Sequence, residues 1–353
     1  MSGLLLKSLR FSNIVVIFAA FFAYLAPYIS PHVTWFFAVF GLFYPVLLFL
    51  NFLFFFFWLW RKKTYCLFSL GCILLGWTHL TGLTGFNFSQ EKPENPITVV
   101  TYNARSFRPL FVKNGDTKVQ QKSFRDAMLK ETGEIEILCL QEFSATSRAV
   151  SGVKKLFNLP HFKRYESRGT AVFSKYPIKN HGKIVFEKSG NSCLWADVKI
   201  KEKTVRVYSV HLESSKISDS ASQLKKDANI RDKKTWAGIR GILGKYRRST
   251  NKRVEQITQL KKHIKETKHP VIVCGDFNDT PTSFVYRKIS EDLCDNFKEA
   301  GRGWGATYAG SIPMLKIDYI FTPQKYFRVY EHGVLNDIEI SDHYPVFSQL
   351  ELR

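Results

Sequence analysis

Polar and ionisable side chains follow short apolar runs through most of the chain after residue 97. Carboxylates and amides supply the oxygen ligands that Mg²⁺ prefers, and histidines transfer protons near neutral pH. Taken singly, each such residue has a structural explanation as a turn former, a solvated loop residue or a core histidine. It is their joint occurrence, in order, that predicts one site for metal-assisted hydrolysis. The residues are Asn103, Glu142, His211, Asp276, Asn278, Asp318, Asp342 and His343.

The order of these motifs resembles that of the endonuclease/exonuclease/phosphatase (deoxyribonuclease-I-like) superfamily. The resemblance covers about Ile97–Leu352, and it implies a four-layer α/β/β/α sandwich and a magnesium-dependent hydrolase of phosphoric ester bonds. The HLES element looks closest to the tyrosyl-DNA phosphodiesterase branch. The segments that carry the resemblance are YN (102–103), QE (141–142), HLES (211–214), GDFND (275–279), IDYIF (317–321) and SDHYPV (341–346).

A role can be assigned to each residue of this set. Mg²⁺, with Mn²⁺ as a substitute, prefers oxygen ligands, so Glu142 with Asn103 and Asp342 is the expected metal side. His343 is expected to take a proton from water, and Asp318 is expected to accept its other N–H.

The remaining groups are expected to hold the phosphate. Asp276 and Asn278 would orient the water and the phosphoryl oxygens, and His211 would donate to a non-bridging oxygen. Either Asp276 or His343 could be the general base. Arg105 stands where the abasic-endonuclease branch has an aspartate near the metal, which favours a single-metal site. Arg105 is expected either to contact the substrate phosphate or to be a surface arginine.

The elements that must position these residues are short apolar runs alternating with helical patterns, which predict an α/β body. The predicted strands are Ile97–Tyr102, Ile135–Leu140, Thr170–Phe173, Cys193–Ile200, Thr204–Val210, Pro270–Cys274, Lys316–Phe321 and Tyr344–Leu352. The predicted helices are Lys118–Glu131, Thr146–Phe157, Arg253–Glu266 and Ser283–Ser290.

The first 83 residues differ sharply in composition, because their only charged side chains are Lys7, Arg10 and the run 61–63. A helix needs about 20 apolar residues to cross a membrane. Three transmembrane helices are therefore predicted, at about 11–29, 33–60 and 64–83, with a kink at Pro45 in the second. A cleaved signal peptide is the alternative for the first. A linker is predicted at 84–96 and the catalytic domain at 97–353.

Basic short loops remain cytoplasmic, which orients these spans. Lys7 and Arg10 precede the first span, and Arg61-Lys62-Lys63 separate the second from the third. The expectation is a multi-pass protein of a bacterial inner membrane with a periplasmic catalytic domain. If the third segment does not span, the domain is cytoplasmic.

Positive charge is concentrated in one segment of the body. The chain has a formal net charge of +21, and residues 216–253 hold twelve basic and three acidic side chains. Within it Trp236, Ile239, Leu243 and Tyr246 follow a helical spacing. The pattern predicts contact with anionic phosphate or lipid, or a surface helix packed on the body. No obligate protein partner is evident.

Cysteine spacing shows neither a metal motif nor a disulfide framework. Cys139 and Cys274 lie in apolar runs and are expected to be buried thiols, with a disulfide between them as the alternative.

Three functions are consistent with these patterns. The first, which is the expected function with the other two as alternatives, is a membrane-anchored phosphodiesterase that acts like a nuclease on nucleic acid, which the basic charge favours. The second is a sphingomyelinase-like or other lipid or inositol phosphate phosphoesterase, which the membrane anchor favours. The third is an inactive binding module, which the complete set of polar residues disfavours.

Overall fold

Two six-stranded sheets pack face to face in the computed structural model, which describes residues 3–88, 91, 93, 95–111, 117–165, 168–217, 232–310, 312 and 314–353. In chain order the strands are β1 (Thr84–Phe86), β2 (Ile97–Asn103), β3 (Ile137–Ser144), β4 (His161–Arg164), β5 (Arg168–Ser174), β6 (Ile178–Val185), β7 (Ser192–Ile200), β8 (Lys203–His211), β9 (Val271–Asp276), β10 (Cys294–Asp295), β11 (Arg302–Trp304), β12 (Asp318–Thr322), β13 (Phe327–Val334) and β14 (Val346–Leu352). The helices are α1 (Gly3–Leu25), α2 (Phe36–Leu42), α3 (Tyr44–Trp60), α4 (Cys66–Leu75), α5 (Trp77–Leu83), α6 (Arg108–Phe111), α7 (Thr117–Thr132), α8 (Ser147–Phe157), α9 (Lys233–Glu266), α10 (Phe284–Ser290) and α11 (Asn296–Ala300).

The strand order is β13-β14-β2-β3-β5-β4 in the first sheet and β10-β12-β9-β8-β7-β6 in the second. The pairs β2–β3 and β8–β9 are parallel, and the other pairs are antiparallel. The inner faces enclose an apolar core that includes Cys139 and Cys274, both free and buried thiols. The α/β prediction with two packed sheets is confirmed.

Helices cover the outer faces of both sheets. Helices α7 and α8 pack on the first sheet through residues such as Met128 and Phe157. Helices α9 and α10 pack on the second sheet through residues such as Ile257 and Ile289. Helix α9 begins at Lys233, twenty residues before the predicted start at Arg253. The apolar residues of the basic segment have a helical spacing, so this segment from Lys233 onward forms the first part of the same helix. Residues 218–231 of that segment lie outside the described residues.

The strands that sequence patterns missed lie mainly at sheet edges. Strands β4 and β13 border the first sheet, and β6 and β10 border the second. An edge strand is partly solvated and carries polar side chains, as in IKNHGKIV of β6, so it lacks the apolar run that marks a central strand.

The N-terminal helices form a separate bundle with many large apolar side chains exposed on its surface. Helix α1 is long and apolar enough to cross a membrane, and α2–α3 and α4–α5 would add two spans if each bent pair is one span. The bends are 63° and 69°. The first bend lies at Phe43, just before Pro45, and the second at Gly76. Helix α1 begins at Gly3 and ends at Leu25, earlier at both ends than the span predicted at 11–29.

The bundle contacts the catalytic domain directly. The Tyr246 hydroxyl donates to the Ala38 carbonyl at 2.9 Å, and the Gly305 amide donates to the Leu83 carbonyl at 2.8 Å. Strand β1 pairs with β11, so the first residues of the predicted linker 84–96 are part of a small sheet. The N-terminal bundle therefore packs on the domain instead of being joined to it by a flexible linker alone.

Candidate active site

The strand ends converge where the two sheets meet. In the second sheet His211 of β8 pairs with Asp276 of β9, and Asp276 pairs with Asp318 of β12. The Asn103 amide, at the end of β2 in the first sheet, donates to Asp276 Oδ2 at 3.0 Å. One hydrogen bond thus joins the two sheets at the site. His343 lies in the loop that leads into β14, and β14 is the neighbour of β2 in the first sheet.

Gly275 permits the close approach of β8 and β9 beside Asp276. Its φ is 143°, and a Cβ atom there would lie 1.9 Å from the Val210 carbonyl oxygen. Only glycine fits both the dihedral angle and the space. The glycine of the GDFND motif is therefore a packing requirement that fixes Asp276 next to His211.

Asp276 is the centre of the cluster. The Asn278 backbone N–H donates to Asp276 Oδ1 at 2.8 Å, its side-chain amide donates to the Leu212 carbonyl at 3.1 Å, and Asn278 adopts a left-handed φ of 52°. The Nε2 atoms of His211 and His343 lie 3.6 Å and 3.7 Å from Asp276 Oδ2. No hydrogen bond from any described residue satisfies His211 Nε2. That nitrogen is therefore available to donate to a bound oxygen.

His343 is held by a buried chain of hydrogen bonds. Its Nδ1 lies 2.9 Å from Asp318 Oδ2, and the Thr307 hydroxyl donates to the same oxygen at 2.7 Å. Burial alone would lower the pKa of His343, but the carboxylates of Asp318 and Asp276 raise it to about 10. Burial raises the pKa of Asp318, and the neighbouring Asp276 raises it further. The chain fixes the imidazole and directs Nε2 toward Asp276.

The oxygen donors expected to hold a metal line the same pocket, which has a volume of about 640 Å³. Glu142 has a φ of 50°, a strained value for a residue with a side chain, and its carboxylate borders the pocket. No hydrogen bond or ion pair between described residues engages that carboxylate. Asp342 borders the pocket too, where Arg105 Nη1 lies 3.4 Å from its Oδ2. Two carboxylates at a polar pocket fit a hard divalent cation.

Asn103 is predicted to lie on the metal side, and Arg105 is predicted either to contact the phosphate or to be a surface arginine. The Asn103 side chain lies in the pocket, but its amide binds Asp276 and its Oδ1 accepts from the Arg105 amide at 3.3 Å. The Arg105 side chain is largely exposed and also borders the pocket. Its pairing with Asp342 places a cation beside an expected metal ligand, which is consistent with a single metal.

A second group of donor atoms lies deeper. One ligand atom each of Asp276, Asp318 and His343 falls within 4.8 Å of the others, and all three residues are buried. His343 Nδ1 already binds Asp318, and Asp276 accepts two hydrogen bonds. Of the buried side-chain atoms of this group, only Asp318 Oδ1 has no hydrogen-bond partner among the described residues. Because the other buried donor atoms are engaged, the group is better suited to proton transfer than to holding the metal.

Several residues of the site carry no signal in the sequence. The Tyr308 ring lies 5.2 Å from the His343 ring, measured between centroids. Leu42 of the anchor lines the pocket wall. Arg253 is fully buried, binds Asp279 Oδ2 at 3.1 Å and donates to the Glu213 carbonyl at 3.0 Å. Arg253 thus joins the GDFND and HLES segments, and no spacing rule could have indicated that contact.

Comparison with known proteins agrees with this geometry. The Endonuclease/Exonuclease/phosphatase family matches residues 100–343, and a Domain of unknown function (DUF8431) matches residues 6–83. No curated protein matches the chain.

Solved structures of low sequence identity are similar to part of this chain. A family protein from Bacteroides thetaiotaomicron is 19% identical with a TM-score of 0.49, over 73% of this chain and 98% of that one. The mannosyl-6-phosphatase Bt3783 of B. thetaiotaomicron VPI-5482 is 18% identical with a TM-score of 0.47, over 72% and 100%. A humanized D. rerio TDP2 is 14% identical with a TM-score of 0.49, over 72% and 99%.

Proposed function

We propose that this chain, which belongs to the endonuclease/exonuclease/phosphatase family, is a membrane-anchored and magnesium-dependent phosphoesterase that cleaves phosphodiester bonds at a membrane surface. It is a hydrolase that acts on phosphoric ester bonds. The observation that carries the proposal is that the two regions line one pocket. Strand-end residues of the domain form its polar wall, and Leu42 of the anchor forms part of the opposite wall.

The chain's own residues can perform the hydrolysis. A water oxygen attacks phosphorus, and the bond from phosphorus to the leaving oxygen breaks. The water proton passes to the Asp276–His343 pair, whose facing atoms lie 3.7 Å apart. His211 Nε2 donates to a non-bridging oxygen as charge develops on it. Asn103 and Asn278 hold the Asp276 carboxylate in the orientation that this transfer requires.

Glu142 and Asp342 would hold the metal ion. When bound there, Mg²⁺ supplies electrostatic stabilisation of the phosphate and of the leaving oxygen. Arg105 is placed to contact a phosphate oxygen once Asp342 engages the cation. Mn²⁺ has similar ligand preferences and is expected to substitute.

The arrangement of the anchor supports a catalytic domain outside the cytoplasm. Arg10 stacks on Tyr65 at 4.3 Å, which brings Arg10 close to the basic loop 61–63 at one end of the bundle. The carbonyls of Ala38 and Leu83, which bind the catalytic domain, lie at the other end. Because basic loops remain cytoplasmic, the domain would be periplasmic in a bacterium. A C-terminal alkaline phosphatase reporter should then be active, and an inactive reporter would reverse this orientation.

The basic charge and the anchor suggest two substrate classes, nucleic acid and membrane lipid. The anchor is the stronger argument, and it favours lipid. A basic surface suits nucleic acid, but it also suits anionic lipid. A pocket wall built from a membrane helix favours substrates that are presented by the membrane. An inactive module is disfavoured, because the buried hydrogen-bonded cluster is complete in the structure.

The test uses the full chain in nanodiscs with ethyl 4-nitrophenyl phosphate as a generic diester. We expect release of nitrophenolate with Mg²⁺, none with EDTA, and recovery when Mg²⁺ is returned. Plasmid DNA and a phospholipid are compared under the same conditions. If none of the three is hydrolysed although Mg²⁺ binds, the chain is a binding module and the proposal fails.

A further inference from the structure

A second cavity lies beside the active site, between the anchor and the catalytic domain. Its volume is about 500 Å³. Helix α3 contributes one wall, and residues of α5, β1 and β11 with Met314 contribute the other. Hydrocarbon and aromatic side chains dominate the lining, which includes Leu48, Phe49, Phe52, Leu80, Trp304 and Met314. Phe49 is 51% exposed and Trp304 is 40% exposed, so the cavity is an open cleft.

The cleft lies at the end of the anchor that faces the domain. Leu48 and Phe49 occupy the first two turns of α3, and the basic loop 61–63 follows the opposite end of the same helix. Helix α3 belongs to a bent pair that is apolar enough to cross a membrane. The cleft is therefore at the depth of the leaflet next to the catalytic domain.

Two short segments separate the cleft from the catalytic pocket. Leu42 lines the catalytic pocket and Pro45 lines the cleft, and both belong to the bend between α2 and α3. On the other side, Met314 lines the cleft and its neighbour Leu315 lines the catalytic pocket. The Leu315 carbonyl accepts hydrogen bonds from the amides of Thr307 and Tyr308, which ties this loop to the residues around His343.

From this adjacency we propose that the cleft binds a hydrocarbon chain of a membrane lipid whose phosphodiester group lies in the catalytic pocket. The inference rests on the proposed phosphoesterase function and specifies its substrate class. A lipid is the occupant that matches both cavities, because it joins an apolar chain to an anionic group. An apolar cleft at leaflet depth admits hydrocarbon directly from the bilayer, and a nucleic acid has no group that would fill it. The charged face of α9 would meet anionic headgroups nearby.

The test is a series of 4-nitrophenyl phosphodiesters that differ only in an ethyl, octyl or hexadecyl group, assayed with the full chain in nanodiscs. We expect kcat/KM to rise by about tenfold or more along the series, since each buried methylene adds to binding. Phe49→Trp should fill the cleft and remove most of that rise, while ethyl diester hydrolysis stays unchanged. Phe56→Trp is the matched control, because Phe56 lies on the same helix, is 60% exposed and does not line the cleft.

The outcomes separate the two proposals. Equal effects of Phe49→Trp and Phe56→Trp on the hexadecyl diester would mean that chain length acts only through partition into the bilayer, and the cleft would then be no subsite. Hydrolysis of the ethyl diester without any preference for long chains would overturn the lipid inference and leave the phosphoesterase intact. A strong preference for DNA over the hexadecyl diester would overturn it too. Failure of the ethyl diester with Mg²⁺ would instead reject the proposed function.

Discussion

The C-terminal domain and the N-terminal helical bundle, which we propose is a membrane anchor, bury polar groups in opposite ways. In the domain, the charged side chains of Asp276 and Asp318 are buried and hydrogen-bonded to Asn103 and His343 respectively, and the apolar side chains form the core. In the anchor, large apolar side chains such as Phe18 and Phe56 are exposed, and the few polar ones are inside. There Asn13 donates to Ser69 at 2.9 Å and accepts from Trp58 at 3.0 Å. The exposed apolar surface of the bundle is the feature that supports the proposed membrane anchor, because side chains of this kind are stable in lipid.

The boundary between the regions combines both solutions. Lys316 is fully buried there, donating to Asp295 Oδ2 at 2.7 Å and to the Gly82 carbonyl at 3.2 Å. Burial lowers the pKa of Lys316 to about 8 although Asp295 opposes the shift. Lys316 is two residues from Asp318, so the contact with the anchor is close to the catalytic cluster.

The largest effect is expected from removing the polar cluster. His211→Ala, Asp276→Ala and His343→Ala should each lower kcat by about 10³-fold or more, because each removes a group that acts on the reacting atoms. The measurement is Mg²⁺-dependent release of nitrophenolate, with thermal unfolding as the check on folding. His181→Ala, on an exposed part of β6, is the control and should retain activity. A fully active and folded Asp276→Ala variant would reject the site assignment.

A smaller effect is expected at the boundary. Lys316→Met leaves the Asp295 carboxylate buried without its cation, and this should destabilise the domain by about 3 kcal/mol. The double variant with Asp295→Asn should recover much of that loss, since no buried charge remains unpaired. Thermal unfolding of the full chain in detergent measures both. If the single variant is as stable as the native chain, this buried ion pair does not stabilise the domain at its boundary with the N-terminal bundle.

The smallest effect is expected from the basic face of α9. Four basic side chains of this face are exposed, namely Lys233, Lys234, Arg247 and Arg248. Replacing all four with Gln should lower activity about threefold relative to the native chain in anionic nanodiscs, and should have little effect in neutral ones. The difference should vanish at high salt because exposed charges are screened. The control replaces exposed basic residues on the opposite helical layer, namely Lys118, Lys122, Arg125 and Lys155. An equal effect of both sets would assign the loss to net charge alone.

Much of the domain could be predicted from the residues themselves. Central strands such as β2 and β9 are continuous apolar runs, because both of their faces are buried. The polar residues directly after such runs had to meet at one edge. This is why the set from Asn103 to His343 could be named in advance. The edge strands carried a weaker pattern and were missed for that reason.

The sequence by itself determined the two-part organisation, the central strands and the chemical types at the site, since these follow from local composition and periodicity. Only the tertiary structure decided which of those groups touch. It placed the Asn103 amide on Asp276, put Arg253 between two motifs, and brought Leu42 into the wall of the catalytic pocket. Such contacts join residues far apart in the chain. They depend on how sheets and helices pack, and no local pattern encodes that packing.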